Sequence, residues 1–149
     1  MLERNDVIDH YTRLRMNLCV ALEGLTDSQL TERTIDGWSV KDHLTHIAFW
    51  DELRASDIER ISAGHGSACR ITVEQCEVLN ELNHDMFAHC SLEQAYWELE
   101  RTHRLVLASI RDAPPRGLEP ERYSECGLQS DHEAEHTRWI REWRERTGY

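Results

Sequence analysis

The stretch DGWSVKDHLTHIAFWDE, residues 36 to 52, decides how this chain is read. Ser39 is a residue type that caps a helix start, and Asp42 stands within the first turn behind it. From there Val40, His43, Ile47, Trp50 and Leu53 recur at helical steps, with His46 alongside. The spacing predicts a long helix from Ser39 to the glycines at 64 and 66, with histidines on its inward face.

A second stretch, DHEAEHTRWIREW (131 to 143), holds His132 and His136 four residues apart. Side chains at i and i+4 lie one above the other on a helix, so the two rings share a face. Trp139 or Ile140, and then Trp143, follow at helical spacing and turn that face toward a core. A histidine there needs partners for its ring nitrogens. Two readings meet that need. A third histidine from another helix, His46, can complete a facial three-nitrogen metal site with an open coordination position; alternatively, each ring is a core or rim histidine with its own hydrogen bonds.

The rest of the chain is helical in period. Ile8, Tyr11, Leu14, Leu18, Leu22 and Leu25 predict a helix from about Asp6 to Glu23, stopped by Gly24. Thr26 with Gln29, Thr72 with Gln75, and Ser91 with Gln94 open further helices, the last two over roughly 73–89 and 92–111. Leu92, Tyr96, Leu99, His103, Val106 and Ile110 form one stripe, which makes His103 a satisfied core histidine and not a ligand. Pro114 and Pro115 close that helix, an irregular segment follows to about Gly127, and a last helix runs from near Ser130 to Arg146. Strand-like alternation and internal repeats are absent. The expectation is an all-α, antiparallel bundle with long elements beginning near residues 6, 39, 92 and 130.

Composition narrows the classes of function. With 149 residues, 30% charged and 40% hydrophobic, the chain suits one domain (1–149) with a real core. The start MLERNDVIDH lacks the features of a signal peptide, and no apolar run reaches membrane-spanning length, so a cytoplasmic protein without a membrane partner is expected. A net charge of −11 without a basic run argues against nucleic acid as a partner. Five cysteines (19, 69, 76, 90, 126) form no CxxC, so reduced thiols are expected and none is assigned as a nucleophile. Phosphate-cradling glycine loops and nucleophile elbows are also absent.

At these residues the sequence resembles the DinB-like four-helix bundle superfamily, the damage-inducible metalloprotein family and not the polymerase of that name. GWSVKDHLTHIAFWDE is similar to its second-helix motif, in which tryptophan, a capping serine or threonine, valine and an H-I/L-A-x-W element recur. DHEAEHTRWIREW is similar to the closing H-Y-x-E-H pattern, with Glu133 in place of the aromatic residue. The segment VLNELNHDMFAHCSLEQAYWELERTHRLVLASI resembles the third region of the ClbS/DfsB-type and maleylpyruvate-isomerase-type branches. The resemblance runs from about residue 5 to 146 and implies His46, His132 and His136 as metal ligands. His43 falls where the family carries an apolar or variable residue and ranks below His46.

The resemblance implies a divalent ion (Zn, Ni, Fe or Co) and, in the catalytic members, a low-molecular-weight thiol such as mycothiol, bacillithiol or glutathione. Two functions follow from it. One is a metal-dependent transferase, isomerase or hydrolase acting on an electrophilic small molecule, in detoxification or natural-product tailoring. The other is a noncatalytic self-resistance protein that sequesters a reactive compound, its histidines structural. Either way the expected partner is a small molecule, and a homodimer is left open. No residue is assigned a catalytic role. Trp50 and Trp139 are expected as core and cavity wall, Tyr11 and Tyr96 as packing. Asp42, Asp51 and Glu135 are candidates to orient ligand histidines, with a solvated surface position the competing expectation. The site is expected near one end of the bundle, with Tyr123, Cys126 and Leu128 shaping access.

Overall fold

In a computed structural model of the protein, described for residues 1–34, 36–124 and 127–149, six α-helices account for most of the regular structure. They are α1 (Arg4–Leu22), α2 (Asp27–Thr31), α3 (Val40–Ser62), α4 (Val73–Phe87), α5 (Leu92–Asp112) and α6 (His132–Thr147). Helix starts follow the cap residues. Thr26, Ser39 and Thr72 each accept from the backbone N–H three residues on, and Gln29, Asp42 and Gln75 reach back to the cap backbone. Asp42 is therefore a cap partner, not a ligand orienter.

Tertiary contacts give the helix directions. Arg4 donates to the carbonyl of Ala113 and Arg15 to that of Leu99, so α1 and α5 are antiparallel. Arg15 also bonds Glu133, and Arg144 bonds the carbonyls of Ala21 and Glu23, so α6 runs parallel to α1. Lys41 meets the Cys90 carbonyl, Arg101 meets Glu52 and Ser109 meets Glu59, which makes α3 and α5 parallel. The bundle thus has two long helices in each direction. The α4 crossover, whose only buried described residue is Asn83, carries the chain back so that α5 can repeat the direction of α3.

Two apolar clusters fill the bundle. Val7, Tyr11, Leu14, Ala55, Ile58, Val106, Ile110, Leu118 and Leu128 belong to one, and Leu18, Leu22, Val40, Leu44, Ile47, Leu99, Ile140 and Trp143 to the other. The buried line of α5 runs through Ala95, Leu99, Thr102, Val106 and Ile110, which leaves Tyr96 38% exposed and only half-buries His103. His103 is not the satisfied core residue that the stripe predicts: its Nδ1 is buried without a hydrogen-bond partner among the described residues.

A polar layer separates the clusters along α3. Arg15 donates to Glu133 Oε1 at 2.8 Å and to Asp51 Oδ2 at 3.2 Å, and Arg54 donates to Asp51 Oδ1 at 3.3 Å. Asp51 is a buried ion-pair partner, not a surface carboxylate. Burial pushes its pKa up to about 6, with Arg54 pulling down and Glu133 pushing up.

Candidate metal centre

His46 enters the site because Ser39 starts α3 two turns earlier. His132 and His136 enter because α6 begins at His132, which puts the first ring at its mouth and the second one turn inside. His46 Nε2 lies 2.9 Å from His132 Nε2, and His136 Nε2 lies 3.0 Å from the same atom. One ligand atom from each ring falls within 4.8 Å of the other two. The structure brings the three predicted residues together, in an arrangement that could hold a metal ion.

The donor set fits a cation better than it fits hydrogen bonds alone. His132 Nε2 faces two other ring nitrogens and carries at most one hydrogen, so both contacts cannot be ordinary two-centre hydrogen bonds. His46 Nδ1, on the far side of its ring, is buried with no hydrogen-bond partner among the described residues. Nitrogens that share one ion at about 2.0–2.1 Å stand about 2.8–3.4 Å apart, depending on coordination geometry. The His46–His132 and His132–His136 spacings lie in that interval, and the third pair lies within 4.8 Å. The rings are also held neutral. Burial, reinforced by neighbouring charge, lowers His46 to about 4 and His132 to about 3, and drives His136 lower still. Neutral imidazole is the form that binds metal.

The histidines floor a pocket of about 390 Å³ walled by Asp36, Trp38, Asn80, Glu135 and Trp139. These walls belong to the loop before α3, to α4 and to α6, so the pocket opens on the side of the bundle and not at its end. A larger depression of about 510 Å³ lies across Trp38 and holds Arg33, Lys41, Asp42 and His84, without the nitrogen cluster. Trp50 is buried behind the site, its Nε1–H donating to Asn80 Oδ1 at 2.9 Å. Trp139 remains 39% exposed and edges onto His136, so it is a cavity wall. Glu135 stands exposed at the rim with no side-chain hydrogen bond among the described residues, and Tyr11 is turned away, its hydroxyl donating to the Leu128 carbonyl.

The expected access segment does something else. Tyr123 donates its hydroxyl to the Gly117 carbonyl at 2.7 Å and packs on the first apolar cluster, to which the 1% exposed Leu128 belongs. Neither lines the pocket, and Cys126 lies outside the described residues. Pro115–Leu118 and Pro120–Arg122 form 3-10 turns there, the first of which tucks Gly117 and Leu118 inward.

Asp36 is the pocket residue that sequence reasoning missed. Gly37, at φ +89°, makes the turn that folds Asp36 back over α3, where Oδ2 lies 3.1 Å from His43 Nε2. Thr34 Oγ1–H and the Trp38 N–H donate to Asp36 Oδ1. Burial alone would raise this carboxyl, but the hydrogen bonds from His43, Thr34 and Trp38 outweigh it and hold Asp36 at about 2. His43 is 1% exposed, and its Nδ1 lies 2.8 Å from His136 Nδ1.

Residues 10–140 match the sequence model of the DinB superfamily. The chain belongs to that superfamily. Its fold is similar to two crystal structures of uncharacterised proteins. The first, from Escherichia coli UTI89, has a TM-score of 0.79 and 15% identity, over 97% of this chain and 94% of the other. The second, from Clostridium difficile 630, has a TM-score of 0.74 and 11% identity, over 97% of both. No curated protein matches the sequence. DinB membership accounts for the helical bundle; the histidine cluster and the Asp36–His43 pair beside it are read from this chain's own residues.

Proposed function

We propose that this DinB-superfamily protein is a metalloenzyme that holds one divalent ion through His46, His132 and His136 and brings a thiol or a water to an electrophilic small molecule. The observation that carries the reading is the convergence of three neutral ring nitrogens on the floor of a pocket with indole walls. A divalent ion bound there supplies the charge that makes a thiol or water nucleophilic at neutral pH.

The chain's own residues provide the rest. Trp38 and Trp139 offer flat apolar walls against which a small molecule excludes water. Glu135 places a proton acceptor at the rim. Among the described residues no lysine or arginine lines the pocket, so neutral or cationic groups suit it better than anionic ones. The family resemblance, not the pocket, supports a thiol of the mycothiol, bacillithiol or glutathione type as the co-substrate.

Elemental analysis of untagged protein, compared with the His132→Ala/His136→Ala variant, tests the metal. About one ion per chain in the first and none in the second is expected; equal content would sink the reading. The enzyme claim is tested with glutathione and an aryl halide electrophile. Product in molar excess over protein, abolished by chelation, supports it, whereas stoichiometric protection that survives chelation overturns it in favour of a sequestering protein.

A further inference from the structure

We infer that His43 and Asp36 are positioning residues that fix which nitrogen of His136 carries its hydrogen, leaving Nε2 bare and aimed at the metal. The inference rests on the metal site proposed above, but its physical basis is a chain of three contacts within the protein. His136 Nδ1 and His43 Nδ1 are 2.8 Å apart, and a single hydrogen lies between them. At the other end of the His43 ring, Nε2 is 3.1 Å from Asp36 Oδ2. An ionised carboxylate only accepts, so His43 Nε2 must be the donor. With one hydrogen on the His43 ring, that leaves its Nδ1 bare to accept from His136 Nδ1–H. That assigns the His136 hydrogen to Nδ1, so the Nε2 facing His132 is free to coordinate.

Each link is held in place. Asp36 Oδ1 is occupied by Thr34 and Trp38, which leaves Oδ2 for His43. Burial of His43 removes competing water, and Trp38 and Trp139 contact its ring. His46 has no such partner at its Nδ1 among the described residues, so the three rings are not equivalent. His136 is the one whose orientation the protein dictates from outside the site. Such partners of metal-bound histidines typically change metal affinity by about 10–100-fold.

The test has two arms. In long-range 1H–15N spectra of metal-free protein, His136 is expected as the Nδ1–H tautomer in the wild type, shifting toward Nε2–H in His43→Leu. His43→Asn places an amide oxygen near the position of the lost Nδ1 and is expected to restore the wild-type tautomer. In the second arm, Zn2+ affinity is measured by competition with a chromophoric chelator. His43→Leu is expected to weaken binding by about 10–100-fold and His43→Asn by only a few-fold. Asp36→Ala should weaken it about 10-fold when His43 is present and have no further effect in the His43→Asn background, a non-additivity that packing alone does not produce. Asp36 is exposed, so its variant keeps the test usable if His43→Leu fails to fold. A wild-type His136 in the Nε2–H form, or equal Zn2+ affinity in wild type, His43→Leu and Asp36→Ala, overturns the inference. Failure of the wild type to bind any Zn2+, Ni2+ or Fe2+ overturns the metal reading instead, and the tautomer arm still decides the relay.

Discussion

Arg15, Asp51, Arg54 and Glu133 on one side, and His43, His46, His132 and His136 on the other, are polar groups packed where α3 meets α6, yet their bonding differs. The first set balances two guanidinium groups against two carboxylates, and Arg15 spends its donors on Glu133, Asp51 and the Leu99 carbonyl. In the second set, ring nitrogens face ring nitrogens, and His46 Nδ1 has no hydrogen-bond partner among the described residues. A buried polar cluster that closes on itself is structural. The second set brings ring nitrogens together in an arrangement that could hold a metal ion.

The sharpest way to break that comparison is Arg15→Met, which leaves Asp51 and Glu133 buried without their shared cation. Urea unfolding is expected to show a loss of about 3–5 kcal/mol. A loss under about 1 kcal/mol would mean the charge layer is not structural. The histidine cluster should respond to metal instead. Zn2+ at a hundredfold excess over its Kd is expected to stabilise the wild type by about 2.7 kcal/mol and leave His132→Ala/His136→Ala unchanged.

Acid should separate the two clusters in metal-free protein. The histidine pKa values are depressed in the fold, so the unfolded chain binds more protons as pH drops below about 6.5, and stability falls from there toward pH 4. Asp51 is raised, so it acts oppositely: it favours the fold at low pH, and that contribution fades as pH rises through about 6. With four depressed histidines, His103 among them, against one raised carboxyl, the net loss on acidification is expected to be at least one proton's worth, about 1.4 kcal/mol per pH unit. The variant lacking His132 and His136 should show a flatter profile or a reversed one. The smallest effect is expected from Tyr123→Phe, which removes the bond to Gly117 and should cost about 1 kcal/mol with Zn2+ affinity unchanged.

Much of this was legible in the sequence for definite reasons. The caps at Thr26, Ser39 and Thr72 are local, three-residue devices, and they mark helix starts to within a residue or two. The i, i+4 spacing of His132 and His136 is likewise local, and the motif around His46 supplied the third member. What failed depends on rotation and on distant contacts. Tyr96 and Ala95 differ by one position, but the helix packs on the second, which no stripe of large residues predicts. Asp51 looked like one acid among 28, because Arg15, which joins Arg54 in pairing with it, reaches it only once α1 lies against α3. Asp36 needed the turn at Gly37. Tyr123 and Leu128 lie in an irregular segment, which is read as surface until its first 3-10 turn packs against α3 and both residues join the first apolar cluster.

The sequence distance across the nitrogen cluster carries a consequence for biosynthesis. His46 and His132 are 86 positions apart, and His136 comes later still. During translation the chain offers an incoming ion only one of the three histidines until its final helix emerges. Assembly of the proposed site therefore follows completion of the fold. Release of a dye-chelated ion during refolding would mark the moment when the last helix docks, a clock hand supplied by the protein's own architecture.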